Sequence, residues 1–438
     1  MFIVSGLLNY LMLSTIHLMK VRFVFFLVSF SVFGFKANAQ ILLDDKDTTF
    51  MKLGGAIRFN TIYSIYEGET FSLPTENRTG IFWDTWRFEA TGQTRNIGIN
   101  FEYRFYPGFN AHFVKKAFLL YNISDKLNMQ LGVTQVPFGK LEFSGNSWWF
   151  HLPYYFGLED DYDTGIKFKW RNENWIYHVA YFLMAEPRGV SEPDFGSFAS
   201  ARYSYDVIPE DGYNGNKERN QLNVRAEYEK GKFLMGFSGQ LGEIFNSNIN
   251  SSFLHWAAAF HTQYAPKKEM RIHFQFTQYD YLNSVNDDGL PVNYINMGAY
   301  GFDTYQVASS ASNFSIGLSY KYEVNWGPIT SFTFYDDYSY MLKYGSLNIL
   351  GTEYEFVDSQ QNIVGFMVTA GNIFTYFDIA SGINQPWLSN SFGGNALGSG
   401  RGKNVDQGVG ITEEGVLNVP QKRPPINTRL NINFGYYF

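Results

Sequence analysis

Apolar and polar side chains alternate along most of the chain beyond residue 50, and this two-residue period constrains the fold more than any other feature. Residues 95–106 illustrate the pattern, with one face formed by Ile97, Ile99, Phe101, Tyr103 and Phe105 and the other by Asn96, Asn100, Glu102 and Arg104. Successive side chains of a strand point to opposite faces, so each such segment predicts a strand with one apolar face. The predicted strands are 51–66, 81–91, 95–106, 111–122, 127–136, 163–171, 174–184, 218–229, 232–242, 252–264, 269–281, 312–324, 328–340, 361–370, 372–380 and 428–438.

Sixteen is an even number of strands, as in single-chain barrels of bacterial outer membranes. Beyond Gln40 no apolar run approaches the roughly 18 residues that a spanning helix needs. A chain that enters a membrane without such helices must close its sheet, because every backbone N–H and C=O needs an internal partner there. We therefore predict an all-β, 16-stranded antiparallel transmembrane β-barrel that forms a single domain over residues 40–438.

Composition agrees with a barrel whose outer face lies in lipid. Charged residues make up 17% of the 438, below the roughly 25% of soluble domains, and aromatic residues make up 19%. The chain has no cysteine, which excludes a disulfide framework, cysteine metal sites and thiol catalysis.

The predicted connections alternate in length, as periplasmic turns and extracellular loops do in such barrels. The tight ones are rich in Gly, Asn and Asp and fall at 92–94, 124–126, 172–173, 230–231, 266–268, 325–327 and 371. The long ones fall at 67–80, 137–162, 185–217, 243–251, 282–311, 341–360 and 381–427, and only 107–110 is short among them.

Both termini are typical of an exported barrel. Residues 1–39 read as a signal peptide, with a basic start at Met19–Arg22, an apolar stretch and an A-x-A cleavage motif at 37–39. Met19 is a second candidate initiator, and an N-terminal membrane anchor is the alternative interpretation. The last strand alternates and ends on Phe438, which resembles the signal by which outer-membrane barrels are recognised for assembly.

Strand alternation also assigns charged side chains to the lumen, where they would line a water-filled pore. The basic set is Lys52, Arg58, Arg87, Arg104, Lys167, Lys169, Arg171, Arg225, Arg271, Lys321 and Arg429. The acidic set is Glu89, Glu102, Glu227, Glu229 and Glu323. A basic wall favours anions, whereas cross-strand pairing of these groups would leave no preference, and both interpretations stay open.

Two segments resemble the phosphate-selective porin O/P family. Residues 114–121 (VKKAFLLY) and 127–139 (LNMQLGVTQVPFG) match that family's basic/Ala/aromatic strand followed by a Gly-x-x-x-x-Pro-Phe motif. Residues 148–163 resemble the third-loop segment of related porins from the Bacteroidetes. The resemblance implies a homotrimeric anion-preferring channel, although no dense arginine ladder accompanies the motif.

Residues 137–162 form the predicted third loop, a candidate constriction that ends in an acidic cluster of Glu159, Asp160, Asp161 and Asp163. Three interpretations remain: carboxylates facing the basic wall across an eyelet, a Ca²⁺ site, or a solvated turn. The loop also carries an aromatic group of Trp148, Trp149, Tyr154, Tyr155 and Phe156. These rings would pack the loop against the wall or join an interfacial belt, and a sugar-stacking platform is the alternative.

The hypothesis that follows is a passive diffusion channel of a Gram-negative outer membrane that passes small hydrophilic solutes, with a weak preference for anions. Its expected partners are outer-membrane lipid, the solutes, the barrel assembly machinery and two further copies of the chain. We expect no enzyme activity, cofactor, assigned metal or nucleic-acid partner. The alternatives are a barrel that serves as a scaffold for an enzyme or adhesin in loops 185–217 and 381–427, and a secreted carbohydrate-binding β protein.

Overall fold

A computed structural model describes residues 39–42, 49–65, 79–191, 198–210, 214–349, 351–388, 394–401 and 426–438. The predicted signal peptide lies outside these residues except for Ala39. Sixteen long strands dominate the fold: β1 Thr49–Ile65, β2 Thr79–Thr94, β3 Ile97–Tyr106, β4 Ala111–Asn122, β5 Leu127–Gln135, β6 Tyr162–Asn172, β7 Trp175–Ala185, β8 Asn216–Lys230, β9 Phe233–Asn246, β10 Ser251–Lys267, β11 Met270–Tyr281, β12 Ser310–Trp326, β13 Ile329–Tyr344, β14 Ser359–Ala370, β15 Ile373–Ile383 and β16 Asn427–Tyr437.

Each strand pairs antiparallel with the next, and β16 pairs with β1, so the sheet closes on itself. The predicted 16-stranded antiparallel barrel is confirmed. A short strand, Ala39–Leu42, pairs with Phe50–Leu53 of β1. It covers the part of β1 that β16 does not reach, because β16 ends with Tyr437 opposite Ala56.

The barrel has a short-turn end and a long-loop end, as the connections predict. The turns at the short-turn end span two to four residues, at 95–96, 123–126, 173–174, 231–232, 268–269, 327–328 and 371–372. Several contain residues with positive φ, such as Arg95 at 51° and Glu173 at 50°. Such backbone angles match the twist of a tight hairpin.

Two predicted connections are wrong. The predicted turn at 92–94 belongs to β2, where these residues pair with β3, and the chain reverses at Arg95–Asn96 instead. The predicted long loop 243–251 is a four-residue turn, because β9 continues to Asn246, which lies opposite Ser251. The Asn246 carboxamide oxygen accepts hydrogen bonds from the backbone N–H groups of Asn248 and Ile249, and these bonds stabilise the tight reversal.

The outer face of the barrel is apolar, and its exposed side chains follow the predicted alternation. Examples of exposed large hydrophobic residues are Ile81, Trp86, Leu119, Val179, Leu183, Phe237, Ile316, Phe334, Val364 and Ile379. A continuous exposed surface of this kind requires an apolar environment. No helix among the described residues is long and apolar enough to cross a membrane.

The packed core lies inside the barrel, towards the long-loop end. There the third loop, residues 136–161, meets a small three-stranded sheet made of Asp206–Val207, Tyr294–Gly298 and Tyr305–Ala308. Their side chains form one buried cluster with inward residues of the wall, such as Ile244 and Met341. The core therefore positions the third loop within the lumen.

Candidate functional site: the third loop and the lumenal cavity

The third loop leaves the wall after β5 and crosses to β8, β9 and β11. The Arg225 guanidinium Nε donates a hydrogen bond of 2.7 Å to the Gly139 carbonyl oxygen. The Gly139 N–H donates to Ser238 Oγ at 2.9 Å, and the Lys140 N–H donates to Gln275 Oε1 at 2.9 Å. Three wall strands thus hold the backbone at one point of the loop.

The middle of the loop is fastened to β13 by one buried carboxylate. Asp337 accepts hydrogen bonds from the Asn146 N–H, the Asn146 Nδ2 and the Ser147 N–H, each at 2.7 Å. On β14, Gln361 Nε2 donates to the Phe150 carbonyl oxygen at 2.7 Å. Contacts on both sides of the lumen show that the loop folds into the barrel.

The end of the loop returns to β4 and the start of β6. Lys115 Nζ lies 3.0 Å from Asp160 Oδ2, and both side chains are almost fully buried. The Tyr203 hydroxyl donates to the same carboxylate oxygen at 2.5 Å. Glu159 turns back into the loop, where it accepts hydrogen bonds from the Ser144 and Gly145 N–H groups at 2.8 and 3.3 Å. Burial raises the pKa of Glu159 in spite of these bonds.

A cavity of about 800 Å³ remains between the loop and the wall of β1–β4, β15 and β16. Its basic lining consists of Arg58, Arg87, Arg104, Lys115, Lys116 and Arg429. Its acidic lining consists of Asp84, Glu89, Glu102, Glu142 and Asp160. Most of these charges form ion pairs. Some pair across neighbouring strands, as Arg58 does with Asp84 at 2.9 Å, and others pair within one strand, as Arg87 does with Glu89 at 2.7 Å.

Aromatic rings cover much of the remaining cavity wall, and several lie against the guanidinium groups. Arg58 lies 6.0 Å from the ring centroid of Trp148, and Arg429 lies 4.8 Å from that of Trp149. These cation–π contacts join the third loop to β1 and β16. The predicted aromatic group thus packs the loop against the wall, and four of its members also line the cavity; Phe156 instead packs on Tyr279.

The structure divides the predicted basic wall residues into three groups. Arg58, Arg87, Arg104 and Arg429 line the large cavity. Lys167 and Arg225 face inwards but donate to the carbonyl oxygens of Gln135, the last residue of β5, and of Gly139 in the third loop, both at 2.7 Å.

The remaining five basic residues lie closer to the short-turn end: Lys52, Lys169, Arg171, Arg271 and Lys321. Arg271 lines a second cavity of about 260 Å³. Strand alternation treats all eleven residues alike. The third loop distinguishes them, because it packs against part of the wall and leaves a cavity beside β1–β4, β15 and β16.

Three of the four predicted constriction carboxylates do not line the large cavity; Asp160 alone does so. Glu159, Asp161 and Asp163 are buried behind it. Desolvation raises the pKa of Asp161, and the neighbouring Asp206 carboxylate adds to the rise.

Sequence alternation misses Lys115, Lys116 and Asp84, because each lies at a β-bulge. Lys116 pairs with Glu102 while Val114 pairs with Tyr103, so Lys115 is the extra residue of β4 and both lysines face the cavity. Asp84 is the extra residue between Trp83 and Thr85 in the pairing of β2 with β1. A bulge moves all subsequent side chains to the opposite face, and no turn residue marks it in the sequence.

Two groups of side chains in the described part of the chain have the spacing of metal ligands. In the first, His151, His273 and Asp337, the His151 Nε2 lies 3.1 Å from His273 Nε2 and the His151 Nδ1 lies 2.8 Å from Ser339 Oγ. Hydrogen bonds therefore account for this group. The second group is Asp161, Asp163 and Asp206.

Several solved barrels from bacterial outer membranes have a similar fold. The chain is similar to OmpF of Salmonella typhi, solved in complex with daunomycin, with a TM-score of 0.53 and 11% identity over 90% of this chain and 99% of that one. The anion-selective porin from Comamonas acidovorans has a TM-score of 0.52 and 11% identity over 89% and 100% of the two chains. The outer-membrane channel DcaP of Acinetobacter baumannii has a TM-score of 0.52 and 10% identity over 90% and 99%.

At such low identity these similarities show a shared barrel fold. No protein-family model matches the chain, and no curated protein sequence matches it.

Proposed function

We propose that the protein is a passive diffusion channel for small hydrophilic solutes in the outer membrane of a Gram-negative bacterium. The observation that carries this proposal is the third loop, which crosses the lumen and leaves a charged cavity of about 800 Å³ beside it. Water and small polar solutes can occupy such a charged space, and loop position together with wall charge would set size and charge preference. The fold shared with solved outer-membrane porins supports the same conclusion.

A planar bilayer experiment tests the proposal. The purified chain is reconstituted, and conductance is recorded first in symmetric KCl and then under a KCl gradient. Stepwise conductance is expected. Its absence, with the barrel shown to be folded by heat-modifiable migration on gels, would contradict the channel and favour a scaffold for the long loops.

The recording under a KCl gradient also measures whether the channel prefers anions or cations. We propose that it weakly prefers anions. Six basic and five acidic residues line the large cavity. This small excess of positive charge favours anions through the local field. The similarity to an anion-selective porin adds support at the level of fold. A reversal potential with the sign expected when K⁺ carries most of the current would contradict the anion preference. It would not contradict the proposal that the protein is a channel.

The resemblance of residues 114–139 to the phosphate-selective porin O/P family supports two further proposals, membership of that family and a homotrimer. Gel migration of unheated, detergent-extracted protein at three times the chain mass would support the trimer, and a monomer mass would contradict it. Addition of phosphate during Cl⁻ conduction tests the family's anion specificity, since a phosphate site would lower the Cl⁻ current.

Export and assembly complete the proposal. We infer that residues 1–39 direct export and that Phe438 is recognised by the barrel assembly machinery. N-terminal sequencing of the mature protein is expected to begin at Gln40. The substitution Phe438→Ala keeps the backbone bonds between residue 438 and Gly55, so a fall in folded protein in the outer membrane would report on the ring itself.

A further inference from the structure

Three carboxylates from separate parts of the chain converge behind the third loop. Asp161 ends the third loop, Asp163 is the second residue of β6, and Asp206 lies in the connection between β7 and β8. One oxygen from each lies within 4.8 Å of the others, and the residues are exposed by only 7%, 2% and 1%. Glu186, which is 1% exposed, lies beside this group. It accepts a hydrogen bond from the Ser204 N–H, and the Ser204 hydroxyl accepts one from the N–H of Tyr162, the residue between Asp161 and Asp163.

The hydrogen bonds of this acidic group leave some of its oxygens without a partner. Asp163 Oδ2 accepts from Gln221 Nε2 at 3.2 Å, and Glu186 Oε1 accepts from the Ser204 N–H at 2.7 Å. The second oxygens, Asp163 Oδ1 and Glu186 Oε2, are buried and have no hydrogen-bond partner, and the same holds for Asp161 Oδ1. Burying these oxygens without partners costs free energy unless a positively charged species binds them.

Protein cations compensate little of this charge. Within the described residues, one ion pair reaches the group, between Arg202 Nη1 and Asp206 Oδ2 at 2.8 Å. The carboxylates of Asp161, Asp163 and Glu186 form no ion pair there with a lysine or arginine. Several negative charges close together in a dry interior must be neutralised by protons or by a bound cation.

We propose that Asp161, Asp163 and Asp206, assisted by Glu186, bind one Ca²⁺ ion. All the donors are oxygens, which Ca²⁺ prefers, and there is no nitrogen or sulfur donor among them. Ligands about 2.3–2.6 Å from Ca²⁺ can lie up to about 5 Å apart, so oxygens within 4.8 Å of one another can share one ion. The smaller Mg²⁺ demands a tighter octahedron and gives up its water reluctantly, so it should bind more weakly.

The ion would join segments that the backbone does not connect directly. It would tie the end of the third loop and the beginning of β6 to the loop after β7. In doing so it would reinforce the return of the third loop to the wall near the Lys115–Asp160 pair. The site therefore has a structural role, and binding of the ion does not depend on whether the barrel conducts.

The test uses the full-length protein in detergent, stripped with EDTA. Ca²⁺ is titrated calorimetrically, and Tb³⁺ luminescence is excited through tyrosine, with Tyr162 between two of the ligands. One Ca²⁺ per chain is expected, with a dissociation constant of about 10⁻³ M or tighter, and with Mg²⁺ at least about tenfold weaker. Absence of saturable Ca²⁺ binding would overturn the proposal.

The double variant Asp161→Asn, Asp163→Asn is compared with Asp288→Asn, which makes the same type of change at an exposed loop position. The double variant should lose Ca²⁺ and Tb³⁺ binding while the control keeps both. Ca²⁺ should raise the temperature of the gel shift for the native chain and for the control and leave it unchanged for the double variant. Equal loss in both variants, or a Ca²⁺ effect that survives in the double variant, would contradict the site.

Discussion

Lys115 and Asp160 form a buried ion pair of 3.0 Å that fastens the end of the third loop to β4. The substitution Asp160→Asn would leave the Lys115 charge buried without its carboxylate, which costs about 3 kcal/mol or more. We expect a lower temperature for the gel shift and a larger, noisier single-channel conductance, because the loop loses an attachment. Asp125→Asn, in an exposed turn between β4 and β5, should change neither. Native-like stability and conductance in Asp160→Asn would contradict the role of the pair.

Glu102 is the acidic centre of the cavity wall and should limit its preference for anions. Its carboxylate lies 2.6 Å from Arg104, 3.3 Å from Lys116 and 3.9 Å from Arg87. The substitution Glu102→Gln removes one negative charge, and a unit charge about 7 Å from an ion in water changes the ion's energy by about 0.6 kcal/mol, or its local concentration roughly threefold. The reversal potential under a KCl gradient should therefore move towards that of Cl⁻.

A matched change at Glu243 provides the control for this measurement. Glu243 pairs with Arg219 at 2.8 Å and shares the outward phase of the exposed Leu241. Glu243→Gln should leave the reversal potential unchanged. A shift of the same size in both variants would mean that total charge, and not the cavity wall, determines the preference.

Asp337 holds the middle of the third loop through three short hydrogen bonds. In Asp337→Asn an amide group replaces a carboxylate that accepts from two backbone N–H groups and one side-chain N–H, so about 3 kcal/mol of stabilisation should be lost. Fluctuations of the single-channel current should increase, because the loop becomes mobile. The neighbouring Asp336 faces the other side of β13 and is exposed, so Asp336→Asn is the matched control and should behave like the native chain. Indistinguishable noise in the two variants would refute the attachment.

Gly55 allows the barrel to close between β1, β2 and β16. A Cβ atom at this position would lie 2.2 Å from the Arg87 carbonyl oxygen and 2.9 Å from the Phe438 ring. Gly55→Ala should therefore cost about 2 kcal/mol or more and reduce the yield of heat-modifiable protein in the membrane. At Gly239 the nearest atom would be Val224 Cγ2 at an ordinary 3.7 Å, so Gly239→Ala should be tolerated. Equal yields of the two variants would show that a side chain at residue 55 has more space than these distances indicate.

Strand number and closure were predictable because their signal is local. In β3, Ile97 and Ile99 face outwards while Glu102 and Arg104 face the lumen, as their alternation indicates. Most of the tight turns contain Gly, Asn or Asp, which mark them in the sequence. Counting the segments between the turns gives the even number of strands. The misplaced turn near residue 93 occurred because Gly92 resembles a turn residue yet pairs within β2.

The lumenal site was predictable only in part. Arg58, Arg87 and Arg104 line the large cavity, but Lys115 and Lys116 do so because of a bulge that alternation does not reveal. The acidic residues 159–163 read as one cluster in the sequence. In the fold Asp160 contacts Lys115, Glu159 binds the loop backbone, and Asp161 approaches Asp206.

The sequence by itself therefore determined that this chain forms sixteen paired strands with one apolar face, since a two-residue period and turn chemistry act over a few residues. The tertiary structure alone decided where the third loop lies and which charges face the remaining space. Those outcomes depend on contacts such as Asn146 with Asp337, which are 191 residues apart, and on single extra residues in β2 and β4. Contacts across a lumen depend on the closure of the whole sheet, so no local pattern records them.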